Sequence, residues 1–441
     1  MDNSTKPGDF MATLKRFLWN SAITAFCSFP VSNEKKIRFK QKLYQRFGKQ
    51  LNALKGTPSL ANNENNKPDT FVSWNSNKPV TKLPVKVIAF YLPQFHPIPE
   101  NDNWWGKGFT EWTNVKPAQP QFEGHYQPHV PIDLGYYDLL NLKTFQRQIE
   151  QAKNYGVGGF CFHYYWFNKK RLLEKPIDLY LENSQLDFPF CISWANESWS
   201  RRWDGNEQNV LLRQNHSPED DIDFISFASR YLKDKRYIRI NGKPLLMIYR
   251  PDLLPDPNAT TERWRDWCRQ NGIGDVYLAY VQSFEKTPPE TYGFDAAVEF
   301  PPNHFGAPYI THTVKPLNDN FKCNILDWKF MADESEKYKH PGYKLFRGVC
   351  PSWDNTARRK NESYVFINSN PERFKKWLYN AAVDTCSRFS NEDERLVFVN
   401  AWNEWAEGAH LEPDEKYGYA YLQNIYDVIK TLKANPKEVK L

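Results

Sequence analysis

Short apolar runs alternate with longer amphipathic stretches from residue 85 almost to the end of the chain. The apolar runs have the length of buried strands and are rich in β-branched and aromatic side chains. The predicted strands are Val85–Tyr91, Gly158–Trp166, Pro189–Ala195, Pro244–Tyr249, Val276–Gln282, Asp295–Phe300, Phe346–Trp353 and Leu396–Trp402. Helices are predicted over 138–155, 176–184, 218–234, 261–270, 371–386 and 419–433. This alternation predicts a parallel sheet with crossover helices.

Eight strand–helix units over about 350 residues fit an α/β protein of the (β/α)8 TIM barrel class, whose members run from about 200 to over 400 residues. A doubly wound sheet is the alternative. It would normally carry a glycine-rich phosphate turn after its first strand. Here the first strand continues into YLPQFHP, and G-x-G-x-x-G occurs nowhere in the sequence. We therefore predict a barrel and no cofactor.

The first part of the chain differs from the rest in charge and composition. Residues 1–57 contain eleven Lys or Arg and three acidic residues, whereas the whole chain has 58 basic and 52 acidic residues. We predict a basic amphipathic N-terminal extension over 1–55, a linker over 56–84 and a catalytic domain over 85–435. Residues 10–50 suit a helix on an anionic membrane surface, and equally a basic arm packed on the domain or on a partner. The sequence lacks a zinc-finger or RNA-binding signature, so nucleic acid is not expected as a partner.

Cysteine usage bears on the compartment. The seven cysteines form no C-x-x-C pair, and an odd number does not suggest a disulfide framework. Phe17–Val31 is apolar and follows two basic residues, but Asn20 and Ser21 interrupt it and no A-x-A cleavage site follows. We expect a cytoplasmic protein, and a membrane-bound helix at 10–50 would place it on the inner face.

Polar and aromatic residues follow almost every predicted strand, the position at which barrels carry binding and catalytic groups. We expect substrate contacts from Tyr91, Gln94, His96, His163, Tyr164, Trp194, Asn196, Glu197, Trp199, Tyr249, Gln282, Glu299, Trp353, Asp354, Trp402, Asn403 and Trp405, and from Trp104, Glu111 and Trp112 in the first loop. Aromatic residues make up 16% of the chain, and ten of its sixteen tryptophans lie at or just after strand ends. Rings in such positions can stack on sugar faces, although those of the first loop can equally form a core of that loop.

Two glutamates after the eighth strand are the candidate catalytic residues. Glu404 and Glu407 are three positions apart, so they share a face only if the chain leaves the strand near Trp402. Paired carboxyls in an aromatic pocket suit glycoside chemistry. The alternative is that one pairs with an arginine and the other is solvated. His96, His163 and His410 fit hydrogen-bonded rings better than zinc ligands, since no metal motif accompanies them, and no metal is predicted.

Four long motifs resemble a known family. YLPQFHPIPENDNWWGKGFTEWTNV, GGFCFHYYWF, ISWANESW and VNAWNEWAEGAHLEPD are similar to the WbsX proteins, a group described as glycosyltransferases whose barrel resembles glycoside hydrolase family 99. The resemblance covers Val85 to about Ile429. Family 99 enzymes are endo-acting α-mannosidases and mannanases on a (β/α)8 barrel. They retain anomeric configuration without a protein nucleophile.

The family's N-E-W-x-E-G motif matches residues 403–408. By this resemblance Glu404 corresponds to the base that takes the proton from the sugar's 2-hydroxyl, which attacks the anomeric carbon to give a 1,2-anhydro sugar. Glu407 corresponds to the general acid that protonates the leaving oxygen and then activates water. The FTEW segment follows the WbsX pattern, so Glu111 is expected to reshape a sugar subsite.

Three functions are consistent with these observations. The first is a retaining endo-acting glycoside hydrolase or transglycosylase that acts on an oligo- or polysaccharide of a bacterial surface. The second is a glycosyltransferase of lipopolysaccharide, O-antigen or capsule assembly. The third is a glycan-binding barrel without catalysis.

Overall fold

The structure is a computed structural model and describes residues 70–80, 82–201, 206–303 and 305–435. Its centre is a closed barrel of eight parallel strands, which confirms the predicted (β/α)8 class. The strands are β1 (Lys86–Tyr91), β2 (Val157–Phe167), β3 (Phe190–Trp194), β4 (Lys243–Ile248), β5 (Tyr277–Gln282), β6 (Ala296–Glu299), β7 (Leu345–Val349) and β8 (Leu396–Val399). Each strand pairs in parallel with its sequence neighbours, and β1 pairs with both β2 and β8 to close the barrel.

The helices are α1 (Pro99–Trp105), α2 (Trp112–Val115), α3 (Leu142–Asn154), α4 (Lys175–Glu182), α5 (Pro218–Leu232), α6 (Pro257–Gln270), α7 (Lys329–Glu334), α8 (Thr356–Arg359), α9 (Pro371–Arg388) and α10 (Ala420–Ala434). The long helices between barrel strands begin at clear sequence signals. In α5 the Ser217 side chain accepts a hydrogen bond from the Asp220 N–H, and Pro218 occupies the first turn. In α9 Asn370 caps the helix in the same way.

Two strand predictions extended too far. The seventh strand ends at Val349 and not at Trp353, and the eighth ends at Val399 and not at Trp402. After β7 the chain reaches Pro351, which has no N–H to donate to a sheet. Trp353–Asp354 then joins a separate small sheet with Tyr364–Ile367 and Asn324–Asp327. After β8, Asn403–Glu404 forms a two-residue ladder with Ala409–His410. Both departures bring polar side chains over the end of the barrel.

Further short strands flank the barrel. They are Lys170–Leu172, Trp199–Arg201, Asn206–Leu212 and Arg239–Ile240. The strands Trp199–Arg201 and Asn206–Leu212 pair with each other as an antiparallel ladder beyond the end of β3.

Part of the predicted linker contacts the barrel domain. The Val72 N–H donates to the carbonyl of Tyr417 at 3.1 Å, and the Trp74 ring packs edge-on against Tyr155 and Tyr419. The predicted extension 1–55, with its candidate membrane helix at 10–50, lies outside the described residues. No helix in the described part of the chain has the length and apolar content needed to cross a membrane.

The barrel wall is closely packed where β6 and β7 meet. A Cβ placed on Gly348 would lie 2.2 Å from the carbonyl oxygen of Glu299 and 2.8 Å from Pro301 Cδ. Because the first of these atoms is backbone, it cannot move aside without shifting a strand. We expect Gly348→Ala to lower the free energy of unfolding by about 1–3 kcal/mol, measured by urea denaturation. An unchanged denaturation midpoint would contradict this packing.

Candidate functional site

A cavity of about 490 Å³ opens at the carboxyl ends of the barrel strands. Its walls come from residues in or after most of the barrel strands, together with the first loop and the paired strands Trp199–Arg201 and Asn206–Leu212. The lining residues are Asn101, Trp105, His163, Tyr165, Ala195, Glu197, Ser198, Trp199, Ser200, Val210, Leu211, Tyr249, Arg250, Leu253, Phe300, Asn303, Trp353, Arg358, Glu404 and Glu407. Both candidate catalytic glutamates therefore face the same cavity.

The segment after β8 places the two carboxyls side by side. Glu404 ends the short strand Asn403–Glu404, and Glu407 ends a single 3-10 turn, Trp405–Glu407. Gly408 follows with φ of 60°, a left-handed conformation that glycine adopts without strain. The chain thus leaves the strand at the point that a shared site requires. On a continuous strand, side chains three residues apart would point to opposite faces. Because of the turn, the side chains of Glu404 and Glu407 point to the same face.

Arg358 lies between the two carboxyls. Its Nη1 is 2.5 Å from Glu407 Oε1, and its Nη2 is 2.9 Å from Glu404 Oε2. The same guanidinium is 2.6 Å from Glu111 Oε2, and the Arg358 side chain is only 8% exposed. One arginine therefore contacts three glutamates in a largely dry space.

Burial raises the pKa of both carboxyls. Loss of water and the neighbouring Glu407 charge raise the pKa of Glu404 to about 8, and Arg358 opposes that rise. Burial also raises the pKa of Glu407, again against the Arg358 charge. Two interacting carboxyls titrate as a pair, and the raised pKa of both groups favours retention of one proton by the pair. A pair with one acid and one base is what proton-transfer catalysis needs.

Other polar groups on the wall are held by protein partners. His163 Nε2 lies 4.0 Å from Glu404 Oε1, and burial lowers the pKa of this histidine to about 4, so it is neutral. The Tyr249 hydroxyl and the Asn303 amide both bond to Ser283 Oγ, at 2.7 and 2.6 Å. Glu197 pairs with Arg250 at 2.9 Å.

The predicted tryptophans fall into two groups. Trp199 and Trp353 line the cavity and are half-buried, and Trp104 packs edge-on against Trp199. Trp105, which was not among the predicted contacts, also lines the cavity. By contrast, the predicted substrate contacts Trp112, Trp194, Trp402 and Trp405 are almost completely buried within protein packing. The expectation that these four rings form sugar platforms is therefore corrected.

Several polar candidates are also buried away from the cavity. Tyr91 bonds to Gln148, Gln282 to Tyr280 and Tyr343, Glu299 to Arg347, and Asn403 to the backbone of Leu92. Asn196 binds the Arg250 backbone, His96 binds the Pro93 carbonyl, and Tyr164 packs against Phe224 and Tyr231. Gln94 is buried, and its carbonyl accepts the Glu111 N–H. None of these side chains lines the cavity wall, so their predicted substrate contacts are corrected as well.

Asp354 and Glu111 act on the cavity indirectly. Asp354 Oδ1 accepts hydrogen bonds from the N–H and hydroxyl of Thr356, at the start of α8, and its Oδ2 lies 2.7 Å from both His125 Nε2 and Gln127 Nε2. It thereby fixes the helix that carries Arg358. Glu111 is fully buried and bonds that arginine directly.

Glu412 organises the loop that carries the glutamate pair. Its carboxyl accepts hydrogen bonds from Trp402 Nε1 at 3.1 Å, Trp405 Nε1 at 2.7 Å, the Tyr137 hydroxyl at 2.8 Å and Gln148 Nε2 at 2.7 Å. These donors come from the loop itself, from α3 and from the segment before it. The two tryptophans of the AWNEW motif are therefore anchors of the loop.

We expect Glu412→Ala to lower the free energy of unfolding by about 3–5 kcal/mol, because four buried donors would lose their acceptor. Thermal or urea unfolding would measure the change. Glu415→Ala is the matched control, since Glu415 is an exposed acid in the same segment and its loss is expected to cost about 0.5 kcal/mol or less. Equal effects of the two substitutions would contradict the anchoring role.

Among the described residues one group has metal-ligating atoms close together, namely His129, His410 and Asp414. It lies outside the cavity that holds the glutamates. His129 Nδ1 is 2.8 Å from His410 Nε2, and His410 Nδ1 is 2.9 Å from the Glu412 carbonyl. A chain of N–H donations from His129 to His410 and from His410 to the Glu412 carbonyl gives both ring nitrogens of His410 a protein partner.

Comparison with known proteins identifies relatives in sequence and in fold. Residues 87–425 match the family described as "Glycosyltransferase WbsX". Two curated relatives from Xanthomonas campestris pv. campestris, both described as "Uncharacterized protein WxcX", are 50% identical over 342 residues. The match covers 77% of this chain and 49% of each relative, so the chain spans about half the length of these relatives.

Two solved structures share the fold. One is described as a "Glycoside hydrolase-like protein", with a TM-score of 0.52, 17% identity and coverage of 82% of this chain and 98% of that one. The other is the glycoside hydrolase family 99 endo-alpha-mannosidase of Bacteroides thetaiotaomicron, with a TM-score of 0.50, 16% identity and coverage of 80% and 98%. At these identities the likeness concerns the fold alone.

Proposed function

Because the chain belongs to the WbsX glycosyltransferase family, we propose that its barrel cleaves or transfers glycosidic bonds in the cavity lined by Glu404 and Glu407. The observation that carries this proposal is the pair itself. Two buried carboxyls face one cavity, and both have a raised pKa because they are buried. Half-buried aromatic rings on the same wall suit the apolar faces of sugars.

The proposed chemistry uses one proton on the pair. Glu404 removes the proton of the sugar's 2-hydroxyl, O2 bonds to the anomeric carbon, and the glycosidic bond breaks as Glu407 gives its proton to the leaving oxygen. Glu407 then takes a proton from water, the water oxygen bonds to the anomeric carbon, and O2 leaves and recovers its proton from Glu404. The anomeric carbon is inverted twice, so the product retains the starting configuration.

The number of protons on the glutamate pair and the carboxyl that holds them can differ between the empty and the occupied cavity. In the empty cavity the pKa of Glu404 is raised to about 8, whereas the proposed acid is Glu407. A bound sugar changes both environments, because its 2-hydroxyl would face one carboxyl and its leaving oxygen the other. The requirement on the free protein is that the pair holds one proton near neutral pH, and burial of both groups supports that condition.

Transfer to another sugar is the second candidate, and the family description favours it. A sugar hydroxyl would take the place of water in the second step, with the same two glutamates. We further propose that the substrate is an α-linked glycan of a bacterial surface polysaccharide.

The test is product analysis with a panel of α-linked oligosaccharides, mannosides included, with and without sugar nucleotides. We expect wild-type protein to release or extend oligosaccharides without an added nucleotide, and the double variant Glu404→Gln, Glu407→Gln to do neither. Products that form only with a sugar nucleotide would assign transfer from an activated donor. Oligosaccharide binding without any product would assign a binding barrel and overturn the catalytic proposal.

A further inference from the structure

The candidate catalytic glutamates share one cation, and that cation is itself held by a third glutamate. Arg358 contacts Glu111 with Nε and Nη2, Glu404 with Nη2 and Glu407 with Nη1. Glu111 lies about 250 positions earlier in the chain, at the start of α2, so the network joins the first loop to the loops after β7 and β8. Nothing in the proposed proton transfers uses Arg358 or Glu111.

We propose that Arg358 is the positioning residue of the glutamate pair: Glu111 fixes its guanidinium, and its two Nη groups hold Glu404 and Glu407 toward the same glycosidic bond. This inference rests on the proposed function of the cavity. It assigns Glu111 a role in holding the arginine and not a contact with the sugar.

The geometry around Arg358 is built for a fixed orientation. Glu111 is fully buried, its backbone N–H bonds to the Gln94 carbonyl, and its carboxylate accepts hydrogen bonds from the Nε–Nη2 edge of the guanidinium. On the other side, Asp354 bonds to Thr356 at the start of α8. Arg358 lies two positions further along the same short helix. A planar guanidinium held along one edge has a defined direction for its remaining N–H groups. The two carboxyls are therefore oriented before any sugar arrives.

The charges around the pair come from several elements. Glu111 adds a negative charge from the first loop, and Arg358 adds the positive charge from α8. His163 and Tyr165 face the pair from β2, Tyr249 from the end of β4 and Cys350 from the end of β7. Burial lowers the pKa of His163 and raises those of Tyr165, Tyr249 and Cys350, so all four are uncharged near neutral pH. Glu197 and Arg250 also line the cavity and form an ion pair with each other at 2.9 Å. Arg358 and Glu111 are the neighbouring charges that act on both carboxyls of the pair.

This arrangement predicts opposite effects of two substitutions. Removal of the cation in Arg358→Met favours protonated carboxyls, so the last proton of the pair should leave about 1–3 pH units higher than in wild type. Removal of the anion in Glu111→Gln leaves the Arg358 charge to be shared by two glutamates and not three. The last proton of the pair should therefore leave at a lower pH than in wild type. Arg358→Lys should keep the titration near its wild-type position and still lose orientation, because an ammonium cannot present two parallel N–H groups.

The titration can be measured without any substrate. A carboxyl whose pKa is raised by folding loses its proton first in the unfolded chain, so its contribution to stability is lost as pH rises from the ordinary value of 4.5 to about 8. Glu404→Gln removes that contribution. The difference in Tm between each protein and its Glu404→Gln counterpart, followed against pH, therefore reports the titration of the pair that depends on Glu404. Arg359→Met is the matched control, since it removes the neighbouring arginine of α8 without touching the pair.

The same variants are then assayed for cleavage of an oligosaccharide that wild type cleaves. We expect the alkaline limb of the rate profile to move up in Arg358→Met and down in Glu111→Gln, and kcat to fall at least tenfold in Arg358→Met and Arg358→Lys. Titration shifts of the same sign in both variants, or none, would overturn the inference even if wild type is active. Opposite shifts in a protein that cleaves no glycan would uphold the network and refute the proposed function instead.

Discussion

Replacing Glu407 by glutamine is expected to lower kcat/KM for a native glycosidic bond by about 10²–10⁴-fold, while kcat/KM for a substrate with a strongly activated leaving group falls far less. The reason is that an aryl or fluoride leaving group departs without a proton, whereas a sugar alkoxide does not. Glutamine keeps the size of the side chain and its hydrogen bond to Arg358 but has no proton to give. Steady-state kinetics on the two substrate types would measure the difference.

Glu415→Gln is the control for this experiment, because it changes an exposed acid in the same segment. We expect wild-type rates from it on both substrates. Equal losses of kcat/KM on native and activated substrates in Glu407→Gln would contradict the acid role, since they would show that proton donation to the leaving group is not what the substitution removes.

Replacing Glu404 by glutamine should remove activity on both substrate types, by about 10²–10⁴-fold. Glu404 is proposed to act on the 2-hydroxyl, and no choice of leaving group replaces that step. A substrate whose 2-hydroxyl is methylated should be equally inert with wild type. Full activity of both the Glu404→Gln and Glu407→Gln proteins would contradict the assignment of this cavity as the catalytic site.

The pH dependence follows from the pair as a unit. One proton must remain on the two carboxyls, so activity should rise as the first proton leaves and fall as the last one leaves, near the pKa of about 8 to which Glu404 is raised. The variants Arg358→Met and Glu111→Gln should move the alkaline limb of this profile to higher and to lower pH, respectively.

The barrel and its glutamate pair were predictable from sequence because both depend on local patterns. Short apolar runs separated by amphipathic helices define the strands, and N-E-W-x-E-G is contiguous in the chain. The network around the pair was not predictable, because its members lie far apart. Arg358 lies in the basic run TARRK, which has the pattern of a solvated surface, and the structure instead buries its side chain. The role of Glu412 was not predictable either, because the residues next to it in the sequence do not indicate that its carboxyl accepts four hydrogen bonds.

The overextended list of sugar contacts has a simple geometric cause. Successive residues of a barrel strand alternate between the interior and the helical layer. In β2, His163 and Tyr165 line the cavity, whereas Tyr164 points to α5 and packs on Phe224. Trp194, at the end of β3, also stacks on Phe224. A position near a strand end was therefore not enough to predict a sugar contact. The alternation within each strand decides which side chains line the cavity and which pack against the surrounding helices.

The configuration of the first product tests the central claim most directly. The measurement is proton NMR of an α-linked oligosaccharide during the first minutes of cleavage by wild-type protein, before the released sugar mutarotates. Two inversions through a 1,2-anhydro sugar predict an α-configured product, absent when Glu404 and Glu407 are both replaced by glutamine. A β-configured first product would contradict the participation of the 2-hydroxyl, and release of sugar by the double variant would contradict the site itself.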